Sequence, residues 1–167
     1  IQALLQRHAI ACLRIGERQS GSRPLDTTHL RALVSVTHSS GVPLVTTNAT
    51  ELARDIGADG IHLSATEFET WEDVIARLVR ARRTFGENAI LGVETGPTRH
   101  EAMQLGETSV SYLMFSKGLS RDGFSEDDLI GEDLDTALWL DRLAWWTEVF
   151  EIPAVAGGIS TPQEAHV

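Results

Sequence analysis

The stretch GADGIHLSATE, residues 57–67, decides how the chain is read. Gly57 is placed to stop a helix, and Asp59-Gly60 turns the chain into the short apolar run that holds Ile61, His62 and Leu63. Small polar residues and the carboxylate of Glu67 follow. The run is too short for a helix and is bracketed by turn residues on both sides, so it reads as a buried strand. The segments on either side, ATELARDIG and TWEDVIARLVRARRTFG, both read as helices.

The alternation continues outward. AIACLRI (9–15) and VPLVTTN (42–48) read as strands, with Pro43 near a strand start, where it is tolerated. Between them DTTHLRALVSVTHSSG reads as a helix with Asp26 or Thr27 as its N-cap and Gly41 as its stop. The helix after Thr70 has a capping-box-like start with Asp73 at the third position. Its Trp71, Val74, Ile75, Leu78, Val79 and Phe85 follow helical spacing. AILGVETG, VSYLMFS and IPAVAGGIS are further strands. PTRHEAMQLGE, opening with Pro97, TALWLDRLAWWTEVFE and TPQEAHV are further helices. Ile1 to His8 reads as the tail of an earlier helix.

Strand and helix in strict turn imply parallel strands joined by crossover helices. Strands covered on both faces are nearly continuous in apolar character, as most of these are. The predicted fold class is α/β, a (β/α)8 TIM barrel in one domain over 1–167, with the first and last strands outside the given sequence. An open doubly wound sheet is the alternative, but no glycine-rich fingerprint follows the first strand. The chain begins at Ile1 and not at methionine, and six strands alone would leave two raw edges, so a longer natural protein is expected.

Composition narrows the function. Of 167 residues, 42% are hydrophobic and 23% charged, and the net charge is -10. That balance argues against a nucleic-acid or anionic-membrane binder. It leaves room for a small anion held by local amides and one arginine. Cys12 is the only cysteine, which rules out an internal disulfide and makes the reducing cytoplasm the expected compartment. No apolar run approaches a membrane span.

In a barrel of this kind the chemistry lies at the C-terminal strand ends. Topology alone then gathers Arg14, Thr47, Asn48, Ser64 to Glu67, Glu94, Lys117 and Gly157 to Ser160 on one rim.

GADGIHL, ILGVETG and IPAVAGGIS, in this order and at these separations, resemble the thiamine phosphate synthase family, which includes thiazole tautomerases. The likeness runs from about Ala9 to Ala165. It implies a transferase of thiamine biosynthesis that couples hydroxymethylpyrimidine diphosphate to thiazole phosphate and releases diphosphate with the help of Mg²⁺. Carried over residue by residue, it implies Arg14 and Lys117 as catalytic cations. It implies Arg14, Thr47, Asn48, Gly157, Gly158 and Ser160 as contacts to phosphorylated substrates, and Asn48 and Glu67 as metal ligands.

The chain departs from the family pattern at several places. The family's Gln-Leu-Arg-x-Lys is here Cys12-Leu13-Arg14-Ile15-Gly16, with Arg18 nearby. Its Asn-Asp is Thr47-Asn48, its Gly-Gln-Glu-Asp is Ser64-Ala65-Thr66-Glu67, and its serine and histidine fall on Glu94 and Gly96. Arg121 is an alternative to Lys117, and His100 reads as a helix surface residue. A carboxylate at Glu94 beside a diphosphate would repel it. These departures imply a site weaker than the family's usual one.

Most of these residues also have a plain structural reading. Arg14 would serve a salt bridge, Glu67 and Asn48 helix starts, His62 the core, and Gly157-Gly158 a tight turn. Trp139, Trp145 and Trp146 read as packing or as contacts of a homodimer, and the acidic stretch 120–135 as a loop over the site. Three classes stay open: a synthase with a partly degenerate site, a catalytically impaired paralogue that binds a phosphorylated ligand, and another phosphate-handling barrel enzyme.

Overall fold

The computed structural model describes residues 1–16, 26–64, 70–96, 98–117, 132–159, 161 and 165. Six helices and six strands alternate: α1 (Gln2–Arg7), β1 (Leu13–Ile15), α2 (Thr27–Ser39), β2 (Leu44–Thr47), α3 (Thr50–Ile56), β3 (Gly60–Leu63), α4 (Trp71–Phe85), β4 (Ile90–Glu94), α5 (Arg99–Gly106), β5 (Tyr112–Ser116), α6 (Glu132–Val149) and β6 (Ala154–Gly157). The strands follow chain order through the sheet, and the described ladders are parallel. The fold is a partial (β/α)8 barrel, as the alternation predicts.

The described residues fall into two compact units, one up to Leu91 and the other from Gly92 onward. In the first, Leu44, Val45, Ile61, Leu63, Val74, Leu78 and Ala81 form the buried core. In the second, Leu105, Leu113, Phe115 and Trp146 do so. Trp146 stacks on Phe150 with ring centroids 3.9 Å apart, and its indole N–H donates to the Ile152 carbonyl at 2.7 Å. The Trp139 indole donates to the Phe115 carbonyl, which ties α6 to β5. Both tryptophans are therefore packing residues with satisfied N–H groups. Trp145 is half-buried, with the Arg99 guanidinium 4.9 Å from its ring centre and Arg99 also paired to Asp141.

The residues of the opening stretch do their work at the start of β3. Gly57 adopts φ 75°, a left-handed C-cap that suits glycine. Asp59 then fastens three elements. Its Oδ2 accepts the Leu44 N–H at 2.7 Å and pairs with His38 Nε2 at 2.8 Å, at the end of α2. Its backbone N–H donates to the Leu44 carbonyl, and its carbonyl accepts the Ile90 N–H. Gly60 follows because β4 passes close by: a Cβ there would lie 1.9 Å from the Ile90 oxygen.

Helix starts follow the predicted chemistry at Asp26, which accepts the Thr28 N–H, and at Thr70, which accepts the Asp73 N–H. Four details differ. The helix predicted from Pro97 begins at Arg99, where Thr98 and Glu101 form a full capping box. Helix α6 begins at Glu132, so the last residues of the stretch read as an acidic loop are helical; the rest of that stretch lies outside the described residues. On α4 the apolar stripe is wider than the buried one, and Ile75 and Val79 are exposed. Strand pairing in the first segment is confined to Leu13–Ile15.

Replacing Asp59 by alanine strands the Leu44 N–H and is expected to cost about 2 kcal/mol in a urea melt. His38→Ala removes only the half-exposed ion pair and should cost less than about 1 kcal/mol. Equal losses would move the energy from the backbone bond to the ion pair.

Candidate functional site

The register of the first unit fixes which side chains share a sheet face. Arg14 lies level with Val45, Val45 with Gly60, and Thr47 with His62. Side chains alternate along a strand, so Arg14, Thr47 and His62 stand on the same face toward the C-terminal strand ends. Arg14 is exposed and His62 fully buried. Burial, and secondly the Arg14 charge, push the His62 imidazole down to about 3, so it is neutral at physiological pH. That favours the core reading of His62 over any acid role.

Asn48 follows β2 in a positive-φ conformation (55°), which asparagine tolerates better than most residues. It does not cap α3: the N-cap is Ala49, with no side-chain bond. The Asn48 Oδ1 instead accepts the Ser64 N–H at 2.9 Å, and its own N–H donates to the His62 carbonyl. Its Nδ2 is buried with no hydrogen-bond partner, and so is the Thr47 hydroxyl. Each such stranded polar group costs roughly 1–3 kcal/mol. Thr46 by contrast donates to the Ala49 carbonyl at 3.0 Å.

Magnesium binds oxygen ligands, typically one or two carboxylates. At the end of β2 the side-chain oxygen of Asn48 is engaged by Ser64, and the buried atom left over is an N–H donor. Among the described residues no group of three or more His, Cys, Asp or Glu side chains could hold a metal ion. No magnesium site is evident among the described residues. Glu67, the other ligand expected, lies outside the described residues, as do Arg18, Arg121 and Ser160.

The second unit carries its own cluster. Glu94 ends β4 and is 7% exposed; Ser116 ends β5, is also buried, and donates its hydroxyl to Glu94 Oε1. Gly157 packs under this pair, since a Cβ there would come within 2.6 Å of Ser116 Oγ. The Lys117 N–H donates to the Gly157 carbonyl, and Gly158 takes φ 82° in the turn that follows. Gly158 and Ile159 are exposed. A Cβ at Gly96 would lie 2.4 Å from the Glu101 carboxylate, the mobile end of a flexible side chain that would have to shift. His100 is on the surface.

Sequence reasoning named Arg14, Thr47, Asn48 and Glu94 but missed Ser116 as the partner of Glu94. Period-two counting from the Glu94–Met114 register puts Ser116 on the same face one step further on, a signal available only once the register is known. It also missed that Ser64 orients Asn48, a contact between the ends of adjacent strands.

The sequence model of a protein family described as thiamine monophosphate synthase matches residues 1–167. The chain is 33% identical over 134 residues to the thiamine-phosphate synthase of Erythrobacter litoralis, covering 80% of this chain and 56% of that protein. It thus spans little more than half the length of that relative. It is 29% identical over 164 residues to the thiamine-phosphate synthase of Rhodospirillum centenum, covering 96% of this chain and 70% of that one. Among solved structures, the thiamine phosphate pyrophosphorylase of Pyrococcus furiosus is similar in fold, with a TM-score of 0.56 at 19% identity over 95% of this chain and 67% of that chain. No helix among the described residues is long and apolar enough to cross a membrane.

The buried imidazole predicts a pH dependence. The unfolded His62 titrates near the ordinary value of about 6.5, and the folded one at about 3. Between the two the unfolded chain binds the extra proton. The contribution to stability is therefore full above about pH 6.5 and falls as the pH drops, by up to about 1.4 kcal/mol per unit. Denaturant melts from about pH 7 to about pH 4.5 should show the native protein losing stability faster than His62→Gln. Parallel curves would mean that the imidazole is not held neutral.

Proposed function

Because the chain belongs to the thiamine monophosphate synthase family, we propose that it joins hydroxymethylpyrimidine diphosphate to thiazole phosphate and releases diphosphate. The thiazole nitrogen lone pair forms the new C–N bond at the pyrimidine methylene. The methylene C–O bond breaks, and its electron pair leaves on the diphosphate. No oxidant or reductant is needed. The barrier lies in the negative charge that gathers on the leaving group, so fixed donors and cations aimed at that charge are what the chain must supply.

One observation carries this reading. Thr47 and Asn48 hold two unsatisfied polar side-chain atoms at the C-terminal end of β2, and Arg14 of β1 stands on the sheet face of Thr47. A guanidinium forks onto phosphate oxygens. In this reading Arg14 stabilises the departing diphosphate; Lys117 is the further cation that the resemblance implies. The backbone N–H groups at Gly157 and Gly158, with Ser160 as the resemblance implies, hold the phosphate of the thiazole substrate, which glycine lets approach closely.

Glu94 favours a second reading. A buried carboxylate bonded to Ser116 stands where the resemblance places a serine, and its charge opposes a neighbouring phosphate. On that reading the chain is an impaired paralogue that binds a phosphorylated ligand without coupling.

An assay of diphosphate release with both substrates separates the two. Turnover should require both, and Arg14→Ala should lower kcat/KM by about 100-fold. Thiazole phosphate binding in calorimetry without any diphosphate release would leave only the binding reading.

A further inference from the structure

We infer that the outer face of α6, together with Met103 of α5, is an interface on which a second copy of this chain docks, with the two α6 helices antiparallel about a two-fold axis beside Ala144. The inference is independent of the proposed reaction and uses none of its residues.

Helix α6 is apolar over more of its circumference than one covered face requires. Trp139, Leu143, Trp146 and Phe150 recur at the spacing of a single helical stripe, and its two tryptophans are the buried anchors of the second unit. Leu138, Arg142, Trp145 and Val149 repeat that spacing one residue earlier, roughly a quarter turn round the helix. The ends of this second stripe are open: Leu138 is 50% exposed and Val149 60%. Arg99 of α5 reaches both Trp145 and Asp141, which fastens α5 to the same face. Met103, one turn after Arg99, adds a further apolar side chain at 39% exposure. A lone exposed leucine is ordinary, but several on one face of two neighbouring helices mark a contact surface.

Charge selects the occupant. With a net charge of -10, two copies of this chain repel over most of their surface. On this face Arg99 and Arg142 balance Asp141 and Glu148, so a second copy approaches it without that repulsion. The stripe also complements itself. With the helices antiparallel, Leu138 lies opposite Val149 of the partner subunit and Arg142 opposite Trp145 of the partner subunit, apolar against apolar and cation beside aromatic ring. A parallel arrangement would set Asp141, Arg142 and Glu148 each against its own like charge. Continuation of the sheet does not cover the face. The strands follow chain order, so a strand added past β6 would bring its helix to the side of α6 away from α5.

The test is sedimentation velocity of the full natural chain from about 1 to 100 μM, a range that brackets a micromolar Kd. The native protein should pass from monomer to dimer across it. Leu138→Glu and Val149→Glu each place a carboxylate in the contact and should raise the dimer Kd at least about tenfold. Both positions are exposed, so the melting temperature of the dilute protein should not change. Cysteines check the register. In a Cys12→Ser background, a mixture of Leu138→Cys and Val149→Cys proteins should form a disulfide-linked dimer on mild oxidation, and neither should link to itself. If Cys12→Ser does not fold, the two glutamate variants stand as the test. A native protein that stays monomeric throughout, a dimer that both glutamates leave intact, or a Leu138→Cys protein that links to itself as fast as to Val149→Cys overturns the inference.

Discussion

One carboxylate organises the first unit. Asp59 receives the Leu44 N–H on its side chain and returns its own N–H to the Leu44 carbonyl, so the start of β2 is held from both sides. The same oxygen reaches His38 at the end of α2, and the Asp59 carbonyl takes the first N–H of β4. A strand of four residues has few ladder bonds of its own, so its place depends on such cross-links at its entry. The glycines on either side follow from this. Gly57 releases the chain from α3 in a left-handed turn, and Gly60 admits the Ile90 backbone. The most distinctive stretch of the sequence therefore lies at the N-terminal end of its strand, where a barrel keeps its stability and not its chemistry.

That arrangement explains what was legible. Strand and helix alternate visibly because strands covered on both faces are apolar throughout, and helix starts at Asp26 and Thr70 are local events that need three or four neighbouring residues. Asn48 defeats the same logic. It stands just ahead of a helix and looks like a cap, yet its side chain is claimed by Ser64, sixteen residues away in sequence. Ser116 and Glu94 meet only because β4 and β5 pair in one particular register. Ile75 and Val79 fit the helical period but fall outside the buried stripe, since periodicity gives the direction of an apolar face and not its width. What stayed hidden in the sequence is the set of contacts that strand register creates.

The two clusters at the strand ends also differ in chemical sense. Arg14, Thr47 and Asn48 present positive charge and unsatisfied donors. Glu94 and Ser116 form a hydrogen bond in which the serine already serves the carboxylate. A donor placed to satisfy a buried carboxylate is not available to a substrate, so Ser116 is better read as holding Glu94 in position. The Glu101 carboxylate similarly fills the space beside Gly96 while it closes the cap of α5. A histidine at that position would shift it, and the helix would lose the Glu101 half of its capping box while Thr98 still accepts the Glu101 N–H.

A chain with net charge -10 is a poor long-range attractor of phosphate, and the number invites the conclusion that it binds none. Distance removes the conflict. At physiological ionic strength charges farther than about 8 Å contribute little at an exposed position. Within hydrogen-bond range what matters is the local set of donors. At the end of β2 that set is the Thr47 hydroxyl and the Asn48 amide, whose orientation the Ser64 N–H dictates. The acidic excess slows the approach of an anion but does not decide whether one is held. At Asn48 a single backbone N–H on the neighbouring strand end, that of Ser64, takes the side-chain oxygen and leaves the nitrogen as the buried donor.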